Sequence, residues 1–313
     1  MLIILFFISA GLSIAGFFSQ NGWWYDLISH FRIQYLFVHI FFLLFFIMIR
    51  NKRFILITLF FLLINANQLL PYYLYKPNLE YRNMFMHEKV KILLLNLKAP
   101  DKNYTKIMDY IYKVNPDILA MDGVSAEDVS GLNNILIQYQ NENHIFSAEG
   151  SGMEILSRIP FKNFQFQYYG RSVYPTIISQ LTLNEKVFNF ILIHLTPPFN
   201  EISFAQRNEE FARIAQENLP QEQNTIVIGN FNTGPWSHWF QDFLKKMHLR
   251  NCSLGFGIHP TYPTQWPILA VPIDHCLVSK NFSVLNYEQG PDLSLGHYPL
   301  VVELGIYQSN DEN

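Results

Sequence analysis

Polar residues recur where hydrophobic segments of the sequence end, and their types are those found in ligand sites. Amide, carboxylate and imidazole side chains hydrogen-bond ligands, and histidine also transfers protons near neutral pH. Each such residue alone has an ordinary explanation as a turn former or a structural histidine. Six groups of them at strand ends instead predict one ligand site at one edge of a sheet. The groups are Asn96, Asp122 with Gly123, His194, Asn230 with Asn232, Asp274 with His275, and His297.

The segments that must position these groups alternate between strand and helix patterns. Apolar residues at helical spacing predict helices after Asn103, from Ser203 to Ala215 and after Ser237. Short aliphatic runs predict strands between and around them. The mixture of crossover helices and hairpin-like pairs predicts an α/β or α+β layered domain. The predicted strands cover residues 90–96, 117–124, 153–157, 177–183, 188–195, 225–229, 273–278 and 300–304.

The first quarter of the chain has a different composition. Three runs, at about residues 2–18, 33–49 and 54–75, are almost wholly apolar and approach the roughly 20 residues needed to cross a bilayer. Because these runs have no polar face to show to water, they predict three transmembrane helices rather than buried core helices. A cleavable signal peptide is the alternative for the first run. No Lys or Arg precedes that run, which favours a retained helix.

Positive charges in the connecting loops predict the orientation. Arg50, Lys52 and Arg53 lie between the second and third runs, whereas the first loop holds only Arg32. The positive-inside rule therefore places the second loop in the cytoplasm and the domain that follows the third run outside. Further basic residues, beginning with Lys76, follow the third run and oppose this orientation. In a bacterium, the prediction is an integral inner-membrane protein with a periplasmic domain.

These patterns divide the chain into a membrane anchor (1–76), a linker (77–89), a soluble domain (90–306) and a polar tail (307–313). Beyond residue 85, 23 acidic residues face 16 basic ones, so the domain has no strong nucleic-acid signal, although a local basic patch stays open. Cys252 and Cys276 would be able to pair in an oxidising compartment, but the sequence does not decide whether they do.

Six segments, in order, resemble the endonuclease/exonuclease/phosphatase superfamily, which has the fold of pancreatic deoxyribonuclease. The resemblance spans about residues 90–304 and extends to the membrane-anchored bacterial branch. It implies a four-layer sandwich of two β-sheets flanked by helices, and divalent-metal phosphoesterase chemistry with Mg2+ or Mn2+. The segments are NPDILAMDGVS, GMEILSRIPF, IHLTPP, IVIGNFNTGPWS, PIDHCLVS and LSLGHYPLVVEL.

The resemblance assigns roles to five residues that keep the family's residue type. Asn96 matches the asparagine that orients the phosphate, and His194 matches a phosphate-contacting histidine. Asn232 is the second residue of the family's Asp-x-Asn pair. Asp274 and His297 match the aspartate and histidine of a general acid/base dyad.

Three acidic family positions are changed. Gly123 stands where the resemblance implies a metal-binding glutamate, and Gly296 where it implies a further metal-binding aspartate. Asn230 replaces the aspartate expected to position or deprotonate the attacking water. Hard cations prefer carboxylate oxygens, and an amide cannot take a proton near neutral pH, so metal affinity should fall sharply.

Three neighbouring acidic residues are candidates for repairing this loss. Asp122 precedes Gly123, but alternation along a strand predicts that it faces away from the site unless the strand end bulges. Glu154 lies at a strand start and is expected to face solvent. Asp292 would need a rearranged loop to reach the site.

Two functions of different classes follow from these residues. The favoured one is a membrane-anchored family member whose metal-dependent site is degenerate, acting as a phosphate-ligand-binding or interaction module. The alternative is an active phosphodiesterase or phosphatase, a nuclease or lipid head-group hydrolase, with a rewired metal site or a metal-independent mechanism. Phosphate-containing small molecules, lipids and nucleic acids are the candidate ligands. A purely structural role for the domain is a third possibility.

Overall fold

The computed structural model describes residues 1–76, 86–139, 141–145, 152–183, 186–217 and 224–307. Nine α-helices and twelve β-strands lie in this part of the chain. The helices are α1 Leu2–Ala15, α2 Trp23–Ser29, α3 Arg32–Met48, α4 Lys52–Leu74, α5 Tyr104–Val114, α6 Ala126–Gly131, α7 Asn133–Leu136, α8 Glu201–Glu217 and α9 His238–Lys246. The strands are β1 Met86–Asn96, β2 Ile118–Val124, β3 Asn141–Ile145, β4 Gly152–Ser157, β5 Phe161–Gln167, β6 Thr176–Leu183, β7 Lys186–His194, β8 Asn224–Asn230, β9 Arg250–Asn251, β10 Asp274–Val278, β11 Phe282–Gln289 and β12 Leu300–Tyr307.

The strands form two six-stranded sheets. The first has the order β11-β12-β1-β2-β4-β3, and the second has the order β5-β6-β7-β8-β10-β9. Strands β1 and β2 are parallel, as are β7 and β8, while the other neighbours run antiparallel. A parallel pair needs a crossover connection, which α5 and α8 supply. Each parallel pair therefore brings two carboxyl ends to one edge of its sheet.

The sheets pack face to face and carry helices on their outer faces. Ile92 of the first sheet and Ile228 of the second belong to the same inner core, and both are fully buried. Ile107 of α5 packs on the outer face of the first sheet. Phe211 of α8 and Phe240 of α9 pack on the outer face of the second. The predicted four-layer sandwich of two sheets flanked by helices is therefore confirmed.

The N-terminal helices pack together around a small cluster of phenylalanine rings, formed by Phe6, Phe42 and Phe46. Two helical segments, Leu2–Asn21 and Lys52–Leu74, are long and apolar enough to cross a membrane. A third span exists only if α2 and α3, which are bent by 66° relative to each other, count as one. The structure thus has two or three candidate spans where the sequence predicted three.

Some boundaries differ from the predicted ones. Strand β1 begins at Met86, inside the segment predicted as linker, because it pairs with β12 from Met86 to Leu94. Residues 77–85 and 308–313 lie outside the described residues, and with them the rest of that linker and most of the predicted tail. Strands β3, β5, β9 and β11 were not predicted. Strand β5 is an edge strand whose side chains are mostly exposed, so its sequence, FKNFQFQ, has no aliphatic run.

Candidate functional site

Five of the predicted polar residues lie at strand ends on the inner faces of the two sheets. Asn96, Asp122, His194 and Asn230 each follow an inner core residue by two positions, and side chains two apart on a strand share a face. Asp274 begins β10. Asn96 pairs with Asp122, while His194 and Asp274 both pair with Asn230. All five are buried, so the first and second sheets deliver them to one cleft.

Asp122 points into this cleft, so the prediction that it faces away was wrong. It continues the inward-facing positions of β2, and the register of β2 with β4 shifts between Asp122 and Val124. Gly123 is the bulged residue between them and has a φ of +71°. A Cβ atom on Gly123 would lie 3.0 Å from the backbone nitrogen of Lys98. A glutamate at position 123 would therefore crowd the Lys98 backbone and hold its own backbone in a strained conformation.

The Asp122 carboxylate joins the two sheets through hydrogen bonds. Its Oδ2 atom lies 2.5 Å from Nδ1 of His194 and accepts from Nδ2 of Asn96 at 3.2 Å. The His194 and Asp122 side chains are 2% and 1% exposed, so this pair is protected from water. The contact fixes Nδ1 of His194 as a donor, which leaves Nε2 to face the cleft.

Asn230 shapes the loop that follows β8. Its Oδ1 atom accepts a hydrogen bond from the backbone nitrogen of Asn232 at 2.9 Å. Asn232 has a φ of +49°, a conformation that asparagine tolerates better than most residues. Its Nδ2 atom donates to the Leu195 carbonyl at 2.7 Å and lies 3.4 Å from Nε2 of His194. The side-chain amide of Asn230 thus accepts the hydrogen bond that shapes this turn, and the turn places Asn232 next to His194.

Asp274 and His297 form a second aspartate–histidine pair. Oδ2 of Asp274 lies 2.8 Å from Nδ1 of His297. The backbone nitrogen of Asp274 donates to Oγ1 of Thr261 at 3.1 Å. Burial raises the pKa of Asp274, but the charge and hydrogen bond of His297 outweigh that effect and hold the pKa below its ordinary value. The pair has the geometry of a general acid/base dyad whose Nε2 atom is available to a ligand.

The other acidic candidates are not part of this cleft. Glu154 is 1% exposed, so the expectation that it faces solvent was wrong. Alternation along β4 places it on the outer face with Leu156 rather than on the inner face. Asp292 is exposed, and its Oδ1 atom accepts from the backbone nitrogen of Ser294. Gly296 has a φ of +81°, and the nearest atom to a Cβ there would be Nε2 of Gln265 at 3.7 Å.

The resemblance implies a divalent metal ion here, and the donor atoms allow that to be tested. Within the described residues, no three Asp, Glu, His or Cys side chains are grouped to hold a metal ion. Asp122 offers one buried oxygen, Oδ1, with no hydrogen-bond partner, while Oδ2 is engaged by His194 and Asn96. Mg2+ and Mn2+ prefer several oxygen ligands, usually including carboxylates. The residues present do not fit a tightly bound divalent ion.

Two residues that the sequence did not indicate line the same cleft. The Tyr174 ring stacks on the His194 ring with centroids 4.0 Å apart. Lys98 is exposed, and its Nζ atom donates to the Tyr174 hydroxyl at 3.1 Å. Together they place a cation on the tyrosine that stacks on His194. Lys98 follows Asn96 by two positions, which is the only signal of its role in the sequence.

A buried ion pair connects the cleft to the N-terminal helices. The guanidinium of Arg207, on α8, donates from Nη1 to the Asn232 carbonyl at 3.1 Å and lies 2.9 Å from Oδ2 of Asp26 on α2. The side chains of Arg207 and Asp26 are 0% and 1% exposed. Oδ1 of Asp26 also accepts from the Ser237 hydroxyl. The N-terminal helices therefore help to hold the loop that carries Asn232.

Comparison with known proteins agrees with this architecture. The model of the "Endonuclease/Exonuclease/phosphatase family" matches residues 83–294. The search of curated protein sequences found no significant match. Among solved structures, humanized D. rerio TDP2 is 14% identical, with a TM-score of 0.56 and coverage of 69% of this chain and 98% of that one. An endonuclease/exonuclease/phosphatase from Beutenbergia cavernae is 15% identical, with a TM-score of 0.58 and coverage of 71% and 73%. The human Nocturnin catalytic domain with bound sulfate anion is 15% identical, with a TM-score of 0.57 and coverage of 71% and 96%.

Proposed function

Because the chain belongs to the endonuclease/exonuclease/phosphatase family, we propose that its cleft binds a phosphate-containing ligand but has lost metal-dependent hydrolysis. The observation that carries the proposal is the state of Asp122. It is the inward carboxylate nearest the lost glutamate position, and its charge is already paired with His194. A divalent ion would have to compete with that histidine for one carboxylate.

The remaining groups suit a phosphate. Nε2 of His194 and Nδ2 of Asn232 lie 3.4 Å apart, so one phosphate oxygen between them would receive two donors when His194 is protonated. Lys98, which hydrogen-bonds the tyrosine stacked on His194, supplies a further positive charge at the mouth of the cleft. Human Nocturnin, which shares the fold, has bound sulfate, an anion of the same shape.

The test is calorimetry on the full chain in detergent, with inorganic phosphate, Mg2+ and Mn2+ as separate titrants. Hydrolysis of bis(p-nitrophenyl) phosphate is followed in parallel. We expect phosphate to bind, the metals not to bind saturably, and no turnover. His194→Gln should weaken phosphate binding by about 10- to 100-fold, the loss of one charge-assisted hydrogen bond. Exposed His238→Gln is the matched control and should leave binding unchanged. Saturable metal binding accompanied by turnover would refute the proposal.

A second candidate function is an active phosphodiesterase or phosphatase, and two observations favour it. Asp122 faces the cleft with one unpartnered oxygen, and the Asp274–His297 pair can move a proton through Nε2 of His297. If turnover is found, Asp122→Asn should abolish any metal-dependent part, and His297→Ala should abolish all of it. Turnover that survives His297→Ala would remove that histidine from the mechanism.

The proposed location is the inner membrane of a bacterium, with the domain on the periplasmic side. The apolar N-terminal helices and the basic turn at Arg50–Arg53 support this orientation. Protease treatment of intact spheroplasts should digest the domain. Full protection that is lost only on lysis would place the domain in the cytoplasm.

A further inference from the structure

We propose that the edge of the domain that carries the cleft lies on the membrane surface, and that the ligand is the phosphate head group of a membrane lipid. This inference rests on the proposed phosphate cleft and deepens it by naming the source of the phosphate. Three features of the molecule support it: the contacts between the domain and the N-terminal helices, the side chains exposed at that level, and the loop that links those side chains to His297.

The domain contacts the N-terminal helices through the loops that surround the cleft. At the start of α9, the backbone nitrogen of His238 donates to Oγ of Ser19 at 2.8 Å, and in the loop between β8 and α9, Nε1 of Trp236 donates to the Gln68 carbonyl at 3.1 Å. Next to β7, Nε1 of Trp23 donates to the Pro198 carbonyl. These contacts involve Ser19 between α1 and α2, Trp23 at the start of α2, and Gln68 in the last two turns of α4. The cleft edge, together with the first turns of α8 and α9 that carry Arg207 and His238, therefore faces the apolar helices.

Aromatic side chains mark a membrane surface at the same level. Trp24 and Tyr25 of α2 are exposed, as are Tyr73 and Tyr75 at the end of α4. Tryptophan and tyrosine are enriched where transmembrane helices meet the head-group region. An apolar helix bundle ending in such a group indicates that the head groups begin where the domain loops begin.

The domain itself exposes apolar side chains at this edge. Ile268 is 87% exposed, Phe199 78%, Ile202 74% and Trp266 68%. In the described part of the domain, Ile137, at 79%, is the one other large apolar side chain that is more exposed than Trp266. All four lie next to contacts with the N-terminal helices, since Trp23 bonds Pro198 and Gln34 bonds the Ile268 carbonyl at 3.1 Å. Such side chains are costly in water and favourable in a bilayer surface.

One loop runs from these side chains into the cleft. Tyr262 begins it, and its ring lies 4.6 Å from the His297 ring, centroid to centroid. The loop continues through Trp266 and Ile268 and returns at Val271, whose backbone nitrogen donates to the Tyr262 carbonyl at 2.7 Å. The segment between Tyr262 and Val271 therefore reaches from the dyad histidine to the exposed apolar side chains. A head group at His297 would keep its acyl chains alongside this segment in the leaflet.

The experiment uses the full chain in nanodiscs of phosphatidylcholine doped with phosphatidic acid, and measures retention of phosphatidic acid after repurification. Glycerol 3-phosphate, the soluble probe with the same phosphate monoester, is titrated in parallel. We expect Ile268→Asp to lower phosphatidic acid retention about tenfold while glycerol 3-phosphate binding is unchanged. Ile137→Asp introduces the same charge at a site of similar exposure but away from the N-terminal helices, and should change neither.

A second measurement reports the position of the loop independently of any ligand. In nanodiscs of brominated phosphatidylcholine, tryptophan fluorescence is quenched for residues at the bilayer surface. We expect Trp266→Phe to remove a large share of the quenching, because Trp266 is 68% exposed. Trp239→Phe should remove little, because the Trp239 ring packs on Phe204 of α8 and its Nε1 atom is buried.

The outcomes separate this inference from the proposed function. The lipid inference would be overturned if glycerol 3-phosphate bound as tightly as phosphatidic acid and Ile268→Asp left phosphatidic acid retention unchanged. The phosphate cleft would still stand in that case. Unchanged quenching in Trp266→Phe would also overturn the inference. Binding of neither phosphate probe would overturn the proposed function itself.

Discussion

The ion pair between Asp26 and Arg207 makes the N-terminal helices part of the site, and its removal gives the sharpest test of that role. Arg207 is fully buried, and its guanidinium bridges Asp26 and the Asn232 carbonyl. Asp26→Asn keeps the shape of the side chain and an oxygen for Ser237, but removes the charge. The guanidinium would then remain buried without a counter-charge.

The expected cost follows from burial. Removing one partner of a buried ion pair costs about 3–5 kcal/mol, because the remaining charge stays desolvated. The Glu209–Arg213 pair is a useful comparison because it lies on α8, the helix that carries Arg207. Nη2 of Arg213 is 2.8 Å from Oε1 of Glu209, but the side chains of Glu209 and Arg213 are 43% and 49% exposed. Removing an exposed pair costs about 0–1 kcal/mol. Asp26→Asn should therefore lower the free energy of unfolding by several times as much as Glu209→Gln.

The assay is urea unfolding of the full chain in detergent, combined with hydrogen exchange of the peptide that contains Asn232 and Ser237. Asp26→Asn should lower the midpoint and speed exchange in that peptide, while Glu209→Gln should change neither. The double variant Asp26→Asn with Arg207→Met removes the stranded charge and should recover part of the loss. A loss from Asp26→Asn no larger than that from Glu209→Gln, with unchanged exchange, would refute the reasoning.

Two further predictions concern single residues. Burial lowers the pKa of His275 to about 4, and its Nε2 atom donates to the Thr233 carbonyl. Between about pH 6.5 and 4 the unfolded chain therefore binds a proton that the folded chain does not, so stability should fall as the pH falls, by about 3 kcal/mol at most. His275→Gln should flatten the pH dependence of the urea midpoint in this range, whereas His238→Gln, at an exposed site, should not. The same pH dependence in His275→Gln and the unsubstituted protein would refute the lowered pKa of His275. Gly123→Ala should cost more than Gly296→Ala, because both have positive φ but only Gly123 also meets backbone, at 3.0 Å. Equal midpoints in thermal unfolding would contradict the steric part of that argument.

The strand ends were predictable because short aliphatic runs and the two-residue repeat are local properties. Asn96, His194 and Asn230 end strands that the sequence indicated, and their inward direction follows from the core residues two positions earlier. The helix over Phe204, Phe211 and its neighbours was predictable for the same reason. Eight of the twelve described strands and the helices α5, α8 and α9 therefore followed from the sequence patterns, and the resemblance supplied the two sheets and their four-layer order.

The rest of the cleft depends on contacts that no local pattern records. The direction of Asp122 was mispredicted because position 123 was assumed to face inward, whereas Gly123 takes up the bulge. The exposure of Glu154 was mispredicted because β4 lies between β2 and β3 in the sheet, and even the residues at its start are buried. Arg207 looked like an ordinary charged residue on an amphipathic helix, and only the position of Asp26 shows why it is buried.

The bond between Ser237 and Asp26 has a consequence for biosynthesis. The two residues are separated by 211 positions, and a chain is made from its amino end. Asp26 therefore leaves the ribosome long before either of its partners, Arg207 and Ser237, exists. The domain can complete its loop after β8 only against those helices. The loop after β8 is thus completed by docking on helices that were made earlier, and a domain expressed without residues 1–76 would lack the carboxylate that Arg207 and Ser237 bind.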